Sequence, residues 1–252
     1  MSFLGCIDKR FGDAGLQDVL IESEVVAIDS MNGVISGKHY NRAVRSNKLM
    51  SDALHRMMLQ AFLHSLTEEA ANKVEQVMAD LQQAFPSPQY FEILKSDRFE
   101  EFVASFDQFI QAGNSKQTFR FWNSYLDMVE VLLLFLRGTR EGNWNLHLAS
   151  VRRMLPWIFA YDNINYSRYL PVYWLEMRDL LTTHPAVHQQ CMEGHFTVQR
   201  SENAFAQIAC DQTIEQTANR DSKTKGGMTG FTTSKGSVNR WIWTHHARGS
   251  IL

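Results

Sequence analysis

Proline and cysteine are both scarce in this 252-residue chain, and each scarcity excludes something. Five prolines and fourteen glycines leave long stretches without a breaker, which argues for long helices and against a many-stranded sheet with tight turns. The three cysteines, Cys6, Cys191 and Cys210, are odd in number and scattered. They suggest no disulfide framework, and a reducing compartment is expected. A strong charge of one sign is also missing. The net charge is −2, which gives no global attraction to DNA or to an anionic membrane. The most apolar run, residues 129–136, is interrupted by Glu130 and falls far short of the roughly 20 residues a membrane span needs. The opening apolar run ends at Asp8-Lys9-Arg10, too early for a signal peptide. These features predict a soluble intracellular protein, nuclear or cytoplasmic, with no membrane partner. No phosphate-binding GxxxxGK[ST] loop, GxGxxG loop or GxSxG nucleophile elbow occurs either.

What is present is a core-forming composition, 44% hydrophobic and 12% aromatic, enough for one large core or two small ones. Apolar positions Ala43, Met50, Leu54, Met57, Met58 and Ala61 follow a helical period and predict a long helix over residues 38–66. Thr67 then reads as a cap opening a helix that ends at Pro86-Ser87-Pro88, and Ser96 as the cap of the next, which stops at Gly113. Residues 118–136 form the most apolar helix. Gly138 and Gly142 bracket a tight connection, Asn143 caps another helix, and residues 157–181 predict one more, kinked at Pro171. Residues 16–28 fit a short strand or a helix equally. Alternation over 195–200 and 205–208 predicts two short strands joined at residues 201–203. The expected class is mainly α, a helical bundle-like array with a short β element near residues 195–209. Three regions are expected: an N-terminal segment 1–36, a helical domain 37–194, and a tail 195–252 holding the β element, a polar helix and an amphipathic helix.

Charge is unevenly spread. Residues 1–197 hold 18 Lys and Arg against 23 Asp and Glu, while residues 198–252 hold 7 against 4. Lys38, Arg42, Arg45 and Arg56 fall on one face of the first long helix with Lys48 beside them, a stripe that could track phosphates or could be a solvated helix face. Residues 211–227 read as a second helix, almost without apolar positions. Asp211 serves as N-cap, Gly226-Gly227 close the end, and Lys223 and Lys225 lie near the negative pole of the helix dipole. Asp211, Glu215 and Asn219 share a narrow face that is either solvated or turned into a site. Glu215 is the candidate metal-binding acid, with Asp211 and Asn219 beside it, because Mg²⁺ prefers oxygen ligands.

Two further clusters have bland and sharp readings. His184-x3-His188-x2-Cys191-x3-His195 is the only metal-like spacing. Pro185 makes His184 a cap and Gly194 ends the helix before His195, so scattered surface histidines are the expectation and no structural metal is predicted. Tyr161, Tyr166, Tyr169 and Tyr173 could stack bases, or form a core whose hydroxyls find buried partners.

The pattern from residues 11–16 (Phe-Gly-Asp-Ala-Gly-Leu) through 37–41, 121–128, Trp144-x2-His147, 161–168, His184-Pro185 and the 211–227 segment resembles a multicopy family of uncharacterised animal proteins associated with mobile elements. A more distant resemblance is to transposases with a ribonuclease-H-like core. Residues 38–192 are similar to their helical insertion, and Glu215 matches the last acid of the Asp-Asp-Glu triad. That resemblance implies the C-terminal portion of a transposon-derived, transposase-like protein, catalytically silent alone and lacking the β-rich half with its two aspartates. Mg²⁺ is implied only together with that upstream catalytic domain. DNA is the implied partner, reached without sequence specificity through Lys38, Arg42, Arg45, Arg56, Lys223 and Lys225. The alternative is a non-catalytic α-helical protein-interaction module, and a third reading is a small zinc-stabilised domain.

Overall fold

The computed structural model describes residues 3–161 and 163–210. They are mainly helical, with one two-stranded sheet. α1 (Phe3–Phe11) runs into a wide turn at residues 12–16, where Gly15 takes φ 114°, a value that favours glycine, and α2 (Gln17–Glu22) follows. The ambiguity over residues 16–28 is thus settled as helix up to Glu22, with α3 (Ile28–Ile35) beginning at the end of that stretch. Gly37, at φ 75°, stops α3, so the long helix α4 (Tyr40–Ser65) starts two residues later than the sequence pattern suggests. Lys38 consequently sits in the preceding turn and not on the helix.

Caps set the next boundaries. The Ala70 N–H donates to Thr67 Oγ1 (3.4 Å) at the start of α5 (Glu68–Ala84), and the Phe99 N–H donates to Ser96 Oγ (3.3 Å) at the start of α7 (Asp97–Gly113). Between them lies α6 (Pro88–Leu94), absent from the sequence expectation. Pro88 both ends one periodic run and occupies the first turn of a new helix, where its missing N–H costs nothing. α8 (Gln117–Glu141) and α9 (Trp144–Ala160) form an antiparallel hairpin closed by Gly142 at φ 65°. The Leu146 N–H donates to Asn143 Oδ1 (3.0 Å), as the cap reading requires. A Cβ on Gly138 would lie 2.8 Å from the His147 backbone nitrogen, so only glycine permits this approach of the two helices.

The helix expected over residues 157–181 is instead divided. Trp157 belongs to α9, and α10 (Ile164–Arg178) begins after Asn163, whose carbonyl accepts from the Ser167 N–H (2.8 Å). Pro171 lies inside α10, and α11 (Leu180–Thr183) and α12 (Pro185–Met192) follow. β1 (Thr197–Gln199) and β2 (Gln207–Ala209) pair antiparallel with Val198 opposite Ile208, at the place the alternation indicated.

Internal contacts divide the chain into two units, Met1–Leu132 with Met154–Arg168, and Leu133–Arg153 with Tyr169–Leu252. In the first, Phe11 is fully buried against Phe121, Trp122 and Tyr125, with ring centroids 4.9 to 6.2 Å away. Phe62 of α4 meets Phe102, Phe106 and Phe109 of α7. In the second, the β hairpin is fastened to the α8–α9 turn. Gln207 accepts from Thr197 Oγ1 and donates to the Glu141 carbonyl (3.5 Å), and Phe196 packs edge-on against Trp144 at 5.0 Å.

Candidate functional site

The residues of the polar helix proposed from sequence, Asp211, Glu215, Asn219, Lys223 and Lys225, lie outside the described residues. The basic stripe lies within them. α4 carries Arg42, Arg45, Lys48 and Arg56 against one acid, Asp52, a net +3. At 100° per residue the four cations occupy an arc of about 120°, and Arg42 and Arg56 stand roughly 21 Å apart along the axis. All four are exposed, and so is Lys38 in the turn before the helix. They are not equivalent. Arg56 Nε pairs with Asp52 Oδ2 at 3.2 Å, one helical turn away. Arg42, Arg45 and Lys48 have no ion pair among the described residues. The Asp52-x3-Arg56 spacing was the sequence signal for that difference. The opposite side of α4 holds the buried residues Ala43, Asn47, Met50 and Phe62, which fix the direction in which the cations point.

A site that sequence reasoning missed lies in the second unit. His147, one turn into α9, is stacked on Trp144 (5.6 Å, 13° between planes) and packed against Phe135 and Phe196. Its Nε2 is hydrogen-bonded to the Tyr173 hydroxyl at 3.1 Å. Its Nδ1 is buried and has no hydrogen-bond partner among the described residues, and the same holds for the neighbouring Trp144 Nε1. Either tautomer leaves one ring position unsatisfied, a donor if the tyrosine donates and an acceptor if it accepts. Burial pushes the imidazole pKa down to about 4, so the ring is neutral at physiological pH. The only trace of this pocket in the sequence was Trp144-x2-His147, which places the two rings on one helix face. The aromatic walls come from chain positions far apart.

The tyrosine cluster does not act as a unit. Tyr173 finds a partner for its hydroxyl, Tyr161 stacks on Trp157 (6.5 Å, 4°), and Tyr166 and Tyr169 are exposed. His184 occupies the N-cap position of α12 with Pro185 at its first turn, and His195 lies beyond Gly194 at φ 89°. Among the described residues, no three His, Cys, Asp or Glu side chains come together as a metal site would require. A trough of about 260 Å³ between α5 and α7 is floored by Leu66, Ala70, Val74, Val77 and Phe102. Its rim cations are already occupied, Lys73 with Glu69 (2.8 Å) and Arg98 with Asp80 (2.7 Å). Among the described residues no helix is long and apolar enough to cross a membrane.

Neither the curated proteins nor the solved structures contain a match to this chain. One family model does match, over residues 1–252, so the chain belongs to the family described as a domain of unknown function (DUF8702).

Proposed function

We propose that this chain is a non-catalytic helical protein that binds duplex DNA through its phosphates, in the setting of a transposase-like protein derived from a mobile element. The observation that carries the reading is the row of exposed cations on α4, Arg42, Arg45 and Lys48, that have no carboxylate partner among the described residues. Exposed arginine and lysine on one side of a helix meet phosphate oxygens and release condensed counterions, and such contacts carry no base information. Lys38, exposed just before the helix, extends the row to four. Arg56 contributes less, because Asp52 competes for its guanidinium.

The expected behaviour is weak, sequence-independent and salt-sensitive binding. Four phosphate contacts give a slope of log affinity against log salt of about −3.6, and losing two of them flattens it by about 2. A random duplex titrated at several salt concentrations, with wild type and Arg42→Ala/Arg45→Ala, measures both quantities. Undetectable binding at low salt, or equal binding by the double variant, would overturn the reading. Any catalysis, with Glu215 as a metal-binding acid, Asp211 and Asn219 beside it, and Mg²⁺ as the ion, belongs to this proposal only together with an upstream catalytic domain. A DNA partner implies residence in the nucleus.

The second reading, a protein-interaction module, is favoured by the apolar positions that α10 leaves exposed, among them Tyr169 and Val172. It predicts no dependence of DNA affinity on the α4 cations.

A further inference from the structure

α10 carries a face that the other described residues leave uncovered. Leu170, Tyr173, Trp174 and Met177 are half-buried on one side, while on the other Tyr169 is 71% exposed, Val172 51% and Leu175 46%. At 100° per residue, Arg168, Tyr169, Val172, Leu175 and Glu176 fall within about 120° centred on Val172. All lie on the single helix α10, which continues through Pro171.

The order of these residues is symmetric in a way that names the occupant. If two copies of α10 cross antiparallel with Val172 on the two-fold axis, Arg168 of one copy meets Glu176 of the other, and Tyr169 meets Leu175. Each pairing occurs twice, as an isologous interface demands. A parallel crossing would set Arg168 against Arg168 and Glu176 against Glu176. Neither Arg168 nor Glu176 is held by a salt bridge within the chain among the described residues. An apolar centre flanked by charges that complement their own symmetry mates is how a self-pairing helix specifies its direction.

We infer that the protein associates with a second copy of itself through an antiparallel α10–α10 contact centred on Val172. This association does not depend on the DNA-binding reading. One helix pair is a small interface, so the dimer is weak and concentration-dependent.

Sedimentation velocity of the full chain over a concentration series tests it, with circular dichroism to confirm that each variant keeps its helices. Wild type should shift from monomer toward dimer as concentration rises. Arg168→Glu or Glu176→Arg alone removes two ion pairs and sets like charges opposite each other, weakening the dimer roughly tenfold. The double variant Arg168→Glu/Glu176→Arg restores complementarity and should recover the wild-type dimer. Val172→Lys puts two ammonium groups on the axis and should leave only monomer. A wild type that stays monomeric at every concentration overturns the inference, whether the face is open or taken by another segment or another protein. A dimer that survives Val172→Lys, or one that the charge swap fails to rescue, overturns it equally.

Discussion

Tyr125 in the first unit and His147 in the second are both polar aromatic rings placed inside apolar packing, and they are treated in opposite ways. The Tyr125 hydroxyl donates to Asn47 Oδ1 at 2.9 Å, and the Asn47 amide in turn donates to the Ala43 carbonyl at 2.9 Å. The chain of bonds is closed, and it fastens α8 to α4. His147 has one bond, to Tyr173, and one buried nitrogen with none among the described residues. Burial raises the Tyr125 phenol above its ordinary range and lowers the His147 imidazole, in each case against the charged form. For tyrosine this changes nothing near neutrality. For histidine it moves a proton equilibrium that lies within reach of mild acid. A satisfied buried group stabilises one arrangement, whereas a half-satisfied one holds a penalty that solution conditions can enlarge.

The largest expected effect is on the histidine side. Above pH 6.5 the imidazole is neutral in both the folded and the unfolded chain and is silent. Between 6.5 and about 4 the unfolded chain takes up the proton and the folded chain does not, so stability falls as pH falls. The full loss, reached near pH 4, is about 3 kcal/mol from this group, since one pKa unit corresponds to about 1.4 kcal/mol. Urea denaturation at a series of pH values should show the decline, and His147→Phe should flatten it. A variant with the wild-type slope would place the titrating group elsewhere.

Next in size is Asn47→Ala. It removes the nearer acceptor of the Tyr125 hydroxyl, leaving only the Asn47 backbone carbonyl at 3.4 Å, and should cost about 2 kcal/mol at pH 7. Adding Tyr125→Phe removes the poorly satisfied hydroxyl, and the double variant should be less destabilised than the two single costs summed. Strict additivity in this cycle would mean that the two side chains do not act together. The smallest effect sharpens the contrast. At pH 7, His147→Phe exchanges a half-satisfied polar ring for an apolar one of similar shape and should change stability by less than about 1 kcal/mol. If that substitution cost as much as Asn47→Ala, the two rings would be energetically alike and the comparison would fail.

Local chemistry in the sequence was a good guide wherever one residue decides the geometry. Thr67, Ser96 and Asn143 cap helices because a side-chain oxygen three residues before a free N–H is a local fact. The two short strands were visible in their alternation. α6 was hidden because Pro86 and Pro88 read as a stop, although the second also starts a helix. The break between α9 and α10 was marked only by the polar pair Asp162-Asn163, which the aromatic residues on both sides of it, Trp157, Tyr161 and Tyr166, outweighed. The candidate sites divided along the same line. The α4 stripe was legible as a helical period, but the pairing of Arg56 with Asp52 depends on a rotamer as well as a spacing. The His147 pocket was not legible, because its walls come from α8, α9, α10 and the segment before β1, and no local pattern relates Phe135 to Phe196.

The composition of α4 has a consequence for how the first unit meets a charged surface. α4 is net +3, while α5 and α7 each hold four acids against one base, net −3. Phe62 draws the apolar sides of α4 and α7 together, so their charged sides turn away from each other. The first unit is acidic as a whole, with 13 Lys and Arg against 19 Asp and Glu, and α4 is a positive side on that negative body, which makes it an electric dipole as well as a net anion. A polyanion exerts a torque on such a body before contact, presenting α4 and repelling α5 and α7. Encounter is then selective for orientation even where the final contacts are not selective for sequence, and added salt slows it by shortening the range of that torque to about one Debye length.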